Sequence, residues 1–276
     1  MDAYNLDTFK VLDRVRYARS NFIAALHGGS QQHRKRDLGK LRRRGMLAAP
    51  DQQKDAANYR YSPRIYELTA KAKAELERTG HAPTQWIGER QFWHQLMVAD
   101  ILMSFEIACK ERGLRFRHRK ELIGDAPFRF NASISYQFPK HVDHYDGALV
   151  PDELFAINGT HFVLEADRLS EPISRPTLST SSYLRKILQY REVLKSGSYK
   201  ELIPNMIVLN ITTSEEHAKN IRSFMYDDLG MQSKSLLFKG LPVLGSRDSY
   251  PQPLTHLLDE PFDRAGYPPF IITKEV

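Results

Sequence analysis

The sequence predicts an α/β protein carrying a smaller α+β module at its N-terminus, and three observations lead there. Residues 150–167, VPDELFAINGTHFVLEAD, alternate around Asn158-Gly159, a strong hairpin signal because a two-residue type I′ turn needs φ > 0 at both positions. Residues 204–214, PNMIVLNITTS, read as the near-continuous apolar strand of a sheet covered on both faces. Helical patterns at 92–113, 179–197 and 215–230 flank these strands.

The first third of the chain is basic. Residues 1–80 hold 17 Lys and Arg against 9 Asp and Glu, a net of +8, so the remainder of a chain with net charge +7 carries −1. An excess confined to one end points to a polyanionic partner, nucleic acid first. Phe9, Val11, Leu12, Val15 and Tyr17 suggest a first helix, and SNFIAALH (20–27) a second, ending at Gly28-Gly29 with Ser30 as a cap for the third. That third helix, QQHRKRDLGKLRRRGML (31–47), buries Leu38 and Leu41 and turns Arg34, Lys35, Arg36, Lys40, Arg42, Arg43 and Arg44 outward. Residues 45–77 then read as strand, polar loop, strand and a helix capped by Thr69. This run resembles a winged helix-turn-helix domain, whose recognition helix enters the major groove of duplex DNA, with Lys54 and Arg60 reaching phosphate or minor groove from the wing.

Residues 79–92 lack a sustained period and mark a junction, giving a DNA-binding domain at 1–80, a linker at 81–92 and a core at 93–245. The core opens with an amphipathic helix carrying Leu96, Met97, Ile101, Phe105 and Ala108 on one face. The strand-like LRFRHRKELIG (114–124) and a polar loop, QFPKHVDHYDG (137–147), come next. That loop has two His and two Asp at 141–146, but no cysteine partners or H-E-x-x-H pattern, so it reads as polar rather than zinc-binding. Counting outward from the turn pairs Ile157 with Thr160, Ala156 with His161, Phe155 with Phe162, Leu154 with Val163, Glu153 with Leu164 and Asp152 with Glu165. Both hairpin faces are mainly apolar, which requires helices on both sides. After it come a helix with Leu184, Ile187, Leu188 and Leu194 as its stripe and Ser181 or Ser182 as its cap, the 204–214 strand, another helix and a strand at 234–245. The tail at 246–276 is rich in Pro and polar residues and reads as irregular.

Composition removes several classes. A single cysteine, Cys109, excludes an internal disulfide framework and fits a reducing compartment. The acidic start MDAYNLDTFK has no signal-peptide pattern, and no run approaches the roughly 18 apolar residues of a membrane span, so a cytoplasmic protein, bound to nucleoid or plasmid and not to membrane, is expected. There is no Gly-rich phosphate loop and no serine-nucleophile elbow.

Asp152 and Glu165 meet at the hairpin end far from the turn, where opposed Cβ atoms lie roughly 4.5–5.5 Å apart and like charges destabilise. A divalent cation would compensate, and so would plain solvent exposure at a sheet rim. Pro151-Asp152 followed by Glu165-Ala166-Asp167 resembles the PD-(D/E)xK nuclease signature on its hairpin, within a restriction-endonuclease-like αβββαβ core. The order of winged helix and such a core, with HQLMVAD and YLRKILQY, is similar to the replication-relaxation family of plasmid and integrative-element proteins. The resemblance implies Mg²⁺ or Mn²⁺ held by Asp152, Glu165 and the Ala166 carbonyl; Asp167, on the same strand face as Glu165, is a further candidate ligand for that ion or a second one. Asp167 stands where the nuclease pattern has Lys. Lys186, which shares a helix face with Tyr190 four residues on, would supply that charge from another element. His94 and Glu89 are further polar candidates. Two functions are open: a DNA endonuclease, or a DNA-binding regulator or replication and transfer factor whose degenerate core serves homodimerisation or shape recognition.

Overall fold

The structure, a computed structural model, describes residues 3–56, 58–86, 91–246 and 250–276. The chain divides into two compact units, residues 1–113 with 246–257 and residues 114–245 with 258–276. No helix among the described residues is long and apolar enough to cross a membrane.

The first unit contains α1 (Ala3–Val15), β1 (Ala18–Arg19), α2 (Ser20–His27), α3 (Gln31–Arg43), β2 (Leu47–Ala48), β3 (Ile65–Leu68), α4 (Ala70–Arg78) and α5 (Phe92–Arg112). Its three strands pair in the order β1-β3-β2. Phe9, Leu12, Phe22, Ile23, Leu38 and Leu76 are fully buried at its centre. α1 stops before Tyr17 because Arg16 adopts φ 65. Ser30 occupies the N-cap position of α3 without a side-chain bond, whereas Thr69 caps α4 by accepting the Ala72 N–H at 3.3 Å. The long β2–β3 connection is stitched by buried Gln53, which donates to the Pro50 and Ile65 carbonyls and accepts the Ile65 N–H at 3.1 Å.

Two expectations change here. Of the junction expected at 81–92, residues 81–84 are tied down: Asp13, 1% exposed, lies 3.0 Å from His81 Nε2 and accepts the Thr84 N–H and hydroxyl at 2.9 and 3.0 Å. The units divide after Gly113 instead, because α5 belongs to the first. α5 is not amphipathic but buried around its circumference, from Leu96 and Met97 through Ile101, Leu102 and Met103 to Cys109. Burial pushes the Cys109 thiol up to about 12, so it is an inert packing group.

The second unit contains β4 (Phe116–His118), α6 (Arg119–Ile123), β5 (Phe130–Gln137), β6 (Val142–Leu149), β7 (Glu153–Ile157), β8 (Thr160–Asp167), α7 (Tyr183–Ser196), β9 (Ile207–Thr212), α8 (Glu215–Ser223), β10 (Leu236–Gly240), β11 (Asp263–Arg264) and α9 (Ile272–Glu275). Six strands form one sheet in the order β11-β10-β9-β8-β7-β4, with β8, β9 and β10 parallel. Asn158 at φ 49 and Gly159 at φ 94 make the turn, and the β7–β8 ladder has the counted register, Glu153 with Leu164 through Ile157 with Thr160. The registered ladder ends at Glu153 with Leu164; the Asp152 N–H donates to the same Leu164 carbonyl at 3.0 Å, one residue off register, so the expected Asp152–Glu165 pairing is not a ladder pair. Every residue of β7 is buried, and in β8 only Thr160 is partly exposed, as a sheet covered on both faces requires.

The segment expected as a polar loop is instead β6, paired along its length with β5 as a separate two-stranded sheet. Phe130, Ala132 and Ile134 of β5 face inward, and the partner's Val142, His144 and Asp146 face solvent, so a one-sided polar strand reads like a loop. The tail is also ordered into the fold: β11 adds an edge strand beside β10, and Phe262, Phe270 and Ile272 are buried.

Candidate functional site

In the first unit, most of the basic residues expected to meet DNA lie on the outer side of α3 and at its C-cap. Leu38 and Leu41 face inward, while Lys35, Arg36, Lys40, Arg42, Arg43 and Arg44 are exposed. Gly28 at φ 69 and Gly29 at φ 79 turn the chain sharply between α2 and α3, a backbone path that L side chains resist. Arg34 belongs partly to that turn, donating from Nε to the Gly28 carbonyl at 3.0 Å. Lys40 pairs with Asp37 at 2.9 Å and Lys54 with Asp51 at 2.5 Å, both at the surface, where such pairs exchange readily for other anions. Arg60 is exposed in the β2–β3 connection, next to Tyr61 at 85% exposure.

The second unit brings Asp152, Glu165, Lys186 and Tyr190 together. Glu165, 2% exposed in the central strand β8, accepts the Lys186 ammonium on Oε2 at 2.8 Å and the Tyr190 hydroxyl on Oε1 at 2.5 Å. The four-residue spacing on α7 is what lets Lys186 and Tyr190 grip one carboxylate. Ser182 starts that helix by accepting the Arg185 N–H. Asp152 accepts the Ala166 N–H on Oδ2 at 2.8 Å, which ties it across the hairpin to the residue after Glu165.

Burial is the largest influence on Glu165 and raises its pKa; Lys186 pulls the other way and Asp152 adds to the rise. For Lys186, burial opposes the charge, but Glu165 and then Glu171 overcome it and hold the ammonium above its ordinary range. Burial followed by the adjacent Glu165 raises Tyr190 well above the usual phenol value, so it stays protonated and donates. Counting Asp152, Glu165 and Glu171 as charged against Lys186, the cluster carries about −2.

Asp167 does not join this group. Its Oδ1 accepts the Ser170 N–H at 2.9 Å, the Ser170 hydroxyl at 3.0 Å and the Glu171 N–H at 3.3 Å, closing a turn in which Leu169 adopts φ 63. Its Oδ2 lies 3.3 Å from His217 Nε2. Among the described residues no three His, Cys, Asp or Glu side chains converge as a metal-binding group. Of the three carboxylates expected to hold a cation, Asp152 and Glu165 lie near each other, while Asp167 is committed to the turn at 168–171. His94 lies in the first unit and Glu89 outside the described residues.

Sequence reasoning missed Glu171. Its Oε2 lies 2.6 Å from the Lys186 ammonium, and it accepts the Ser181 hydroxyl. Nothing in the string RLSEPIS separates it from a solvated loop carboxylate, since its role depends on where the loop folds back.

No curated protein matches the sequence. Among solved structures, a Vibrio cholerae protein, VC1899, aligns at 10% identity with a TM-score of 0.24, covering 90% of this chain and 55% of that one; a likeness that slight carries no argument, and the chain spans little more than half of that protein's length. The family model described as replication-relaxation matches residues 9–206, well over half of the sequence, and the chain belongs to the replication-relaxation family.

Proposed function

We propose that this chain is a double-stranded-DNA-binding protein of a plasmid or other mobile element, reading DNA with a winged helix-turn-helix and carrying a nuclease-like core. Family membership points to the replication or transfer of such an element. The observation that carries the DNA reading is α3: its apolar side is buried and its outer side holds five exposed cations, with a sixth, Arg44, at its C-cap, behind a tight two-glycine turn and ahead of a β2–β3 hairpin. Cations at this density neutralise phosphates and release counterions, which makes affinity steeply salt-dependent. Fluorescence anisotropy on a labelled duplex, with wild type beside Arg42→Gln/Arg43→Gln/Arg44→Gln, tests it; equal affinity for the two proteins would remove α3 from the interface.

The second reading concerns cleavage, and Lys186 favours it. Its ammonium sits on Glu165, supplying from α7 the cation that position 167 of the strand lacks. Asp152 and Glu165 would hold Mg²⁺ or Mn²⁺, which when bound lowers the pKa of a coordinated water and stabilises charge on a phosphate. Within the chain, Tyr190 and Lys186 fix the Glu165 carboxylate, and the Ala166 N–H fixes that of Asp152. Supercoiled plasmid incubated with Mg²⁺ or Mn²⁺ decides: cleavage requires nicking that Asp152→Ala abolishes. Duplex binding that survives this substitution, with no nicking by either protein, selects the regulator or transfer factor whose core serves dimerisation or shape recognition.

A further inference from the structure

Lys186 is held from two sides that differ in kind. Glu165 belongs to β8, in the middle of the six-stranded sheet, and is buried. Glu171 belongs to the connection between β8 and α7, residues 168–182. That connection is anchored at Leu178, which is fully buried and whose N–H donates to Asp143 at 2.7 Å. Glu171 donates its N–H to Asp167 at 3.3 Å and accepts the Ser181 hydroxyl, and the next two residues are held by α7, whose Tyr183 and Leu184 N–H groups donate to the Pro172 and Ile173 carbonyls at 3.0 and 2.8 Å. The Arg175 Nε bond to the Ser181 carbonyl at 3.1 Å is exposed. The backbone beside Glu171 is thus held, and the movable part is its side chain, kept in place by Lys186 and Ser181.

Glu171 also lines an open cleft of about 550 Å³ with Ser170, Arg175, Ser214 and His217. A group arriving through this cleft meets Glu171 before Lys186. A carboxylate on a lysine ammonium presents the same chemistry as a phosphate oxygen: an anionic acceptor against a flexible point charge.

We propose that Lys186 is a phosphate site whose resident occupant is Glu171, and that a phosphate of the DNA backbone binds there by displacing the Glu171 side chain. The inference rests on Lys186 as the phosphate-facing cation of the nuclease-like core, and it adds a gate that the core opens only for an anion able to compete with its own carboxylate. The strand carboxylate Glu165 stays in place throughout and holds Lys186 in position.

The test uses the full chain, no added metal and inorganic phosphate as probe, followed by isothermal titration calorimetry, with acylation of Lys186 by an amine-reactive ester read by peptide mass spectrometry. Glu171→Gln keeps the shape and removes the charge. It should bind phosphate about tenfold tighter than wild type, or better, the order expected when an intramolecular competitor at millimolar effective concentration is removed. Lys186 acylation should quicken in parallel. Adding Lys186→Met should abolish the gain, and Glu201→Gln, which removes an exposed carboxylate elsewhere in the unit, should not reproduce it. A gain that persists without Lys186, or that Glu201→Gln matches, overturns the proposal. Ser181→Ala leaves Glu171 charged but unlatched, and should shift affinity the same way by a smaller factor even where Glu171→Gln fails to fold; no shift there also overturns it. Because cleavage is not read, a protein that never nicks DNA but shows the gain loses the nuclease reading and keeps this one.

Discussion

Replacing Lys186 with Met retains an unbranched side chain of similar length and removes the charge. At neutral pH, Glu165 is then left in the sheet centre with Tyr190 as its remaining side-chain donor, and Glu171 loses its cation at 2.6 Å. Breaking a buried pair by deleting one partner costs about 3–5 kcal/mol, because the survivor's charge is no longer offset. The lower end applies, since the Lys186 side chain is 20% exposed and Tyr190 still donates. A loss of about 3 kcal/mol corresponds to a fall in Tm of about 6–12 °C for a unit of this size. The pH dependence is set by the sign of the Glu165 shift. A carboxyl whose folded pKa lies above its unfolded value near 4.5 contributes stability fully present below that value and lost as pH rises through the folded one. Without Lys186 the folded value rises further, so the penalty should be small near pH 4 and full by neutrality. The raised pKa of Lys186 itself acts only above its ordinary 10.5, outside this window. Thermal unfolding followed by circular dichroism from pH 4 to pH 8 measures the profile, and Lys186→Met/Glu165→Gln should recover to within about 1 kcal/mol of Glu165→Gln alone. A penalty that does not change with pH would assign the loss to packing and refute the charge argument.

Neutralising Arg42, Arg43 and Arg44 together should weaken duplex binding and flatten the plot of log affinity against log salt by about 0.9 for each phosphate contact removed, measured by anisotropy between 50 and 200 mM salt. Gly159→Ala should destabilise the second unit by about 1 kcal/mol in urea melts while duplex affinity stays unchanged, because an added Cβ meets nothing within 4 Å and the cost is the φ of 94 alone.

The hairpin was legible because Asn158-Gly159 pins a two-residue turn, and once the turn is pinned every pairing is set by parity. The Lys186–Tyr190 pair was legible for a related reason: helical spacing places both on one side, and a side chain long enough to cross to the strand needs no further information. β6 was hidden because its outward face mixes Val142 and Ala148 with His144 and Asp146, and its other face has Asp143, Tyr145 and Gly147, so neither carries an apolar run. α5 was read as a stripe, yet Leu102 and Met103 lie off that stripe and are buried as well, as a helix enclosed on all sides demands. The role of Glu171 depends on a return of the chain across residues 168–182, which no local period encodes.

The same return links position 167 to the rest of the site. A residue two places beyond Glu165 starts about 6.6 Å along the strand on the same face, where a lysine would deliver its charge to the carboxylates directly. With Lys186 delivering that charge from α7, position 167 is released from electrostatic duty and closes a turn. Aspartate suits that task, because a short carboxylate accepts backbone N–H groups two to four residues on. Those N–H groups are the ones of Ser170 and Glu171, so Asp167 also holds the residue whose carboxylate covers the Lys186 ammonium. Asp167, Glu171 and Lys186 thus form one arrangement: the strand carboxylate closes the turn, and the turn sets an anion over the helix cation.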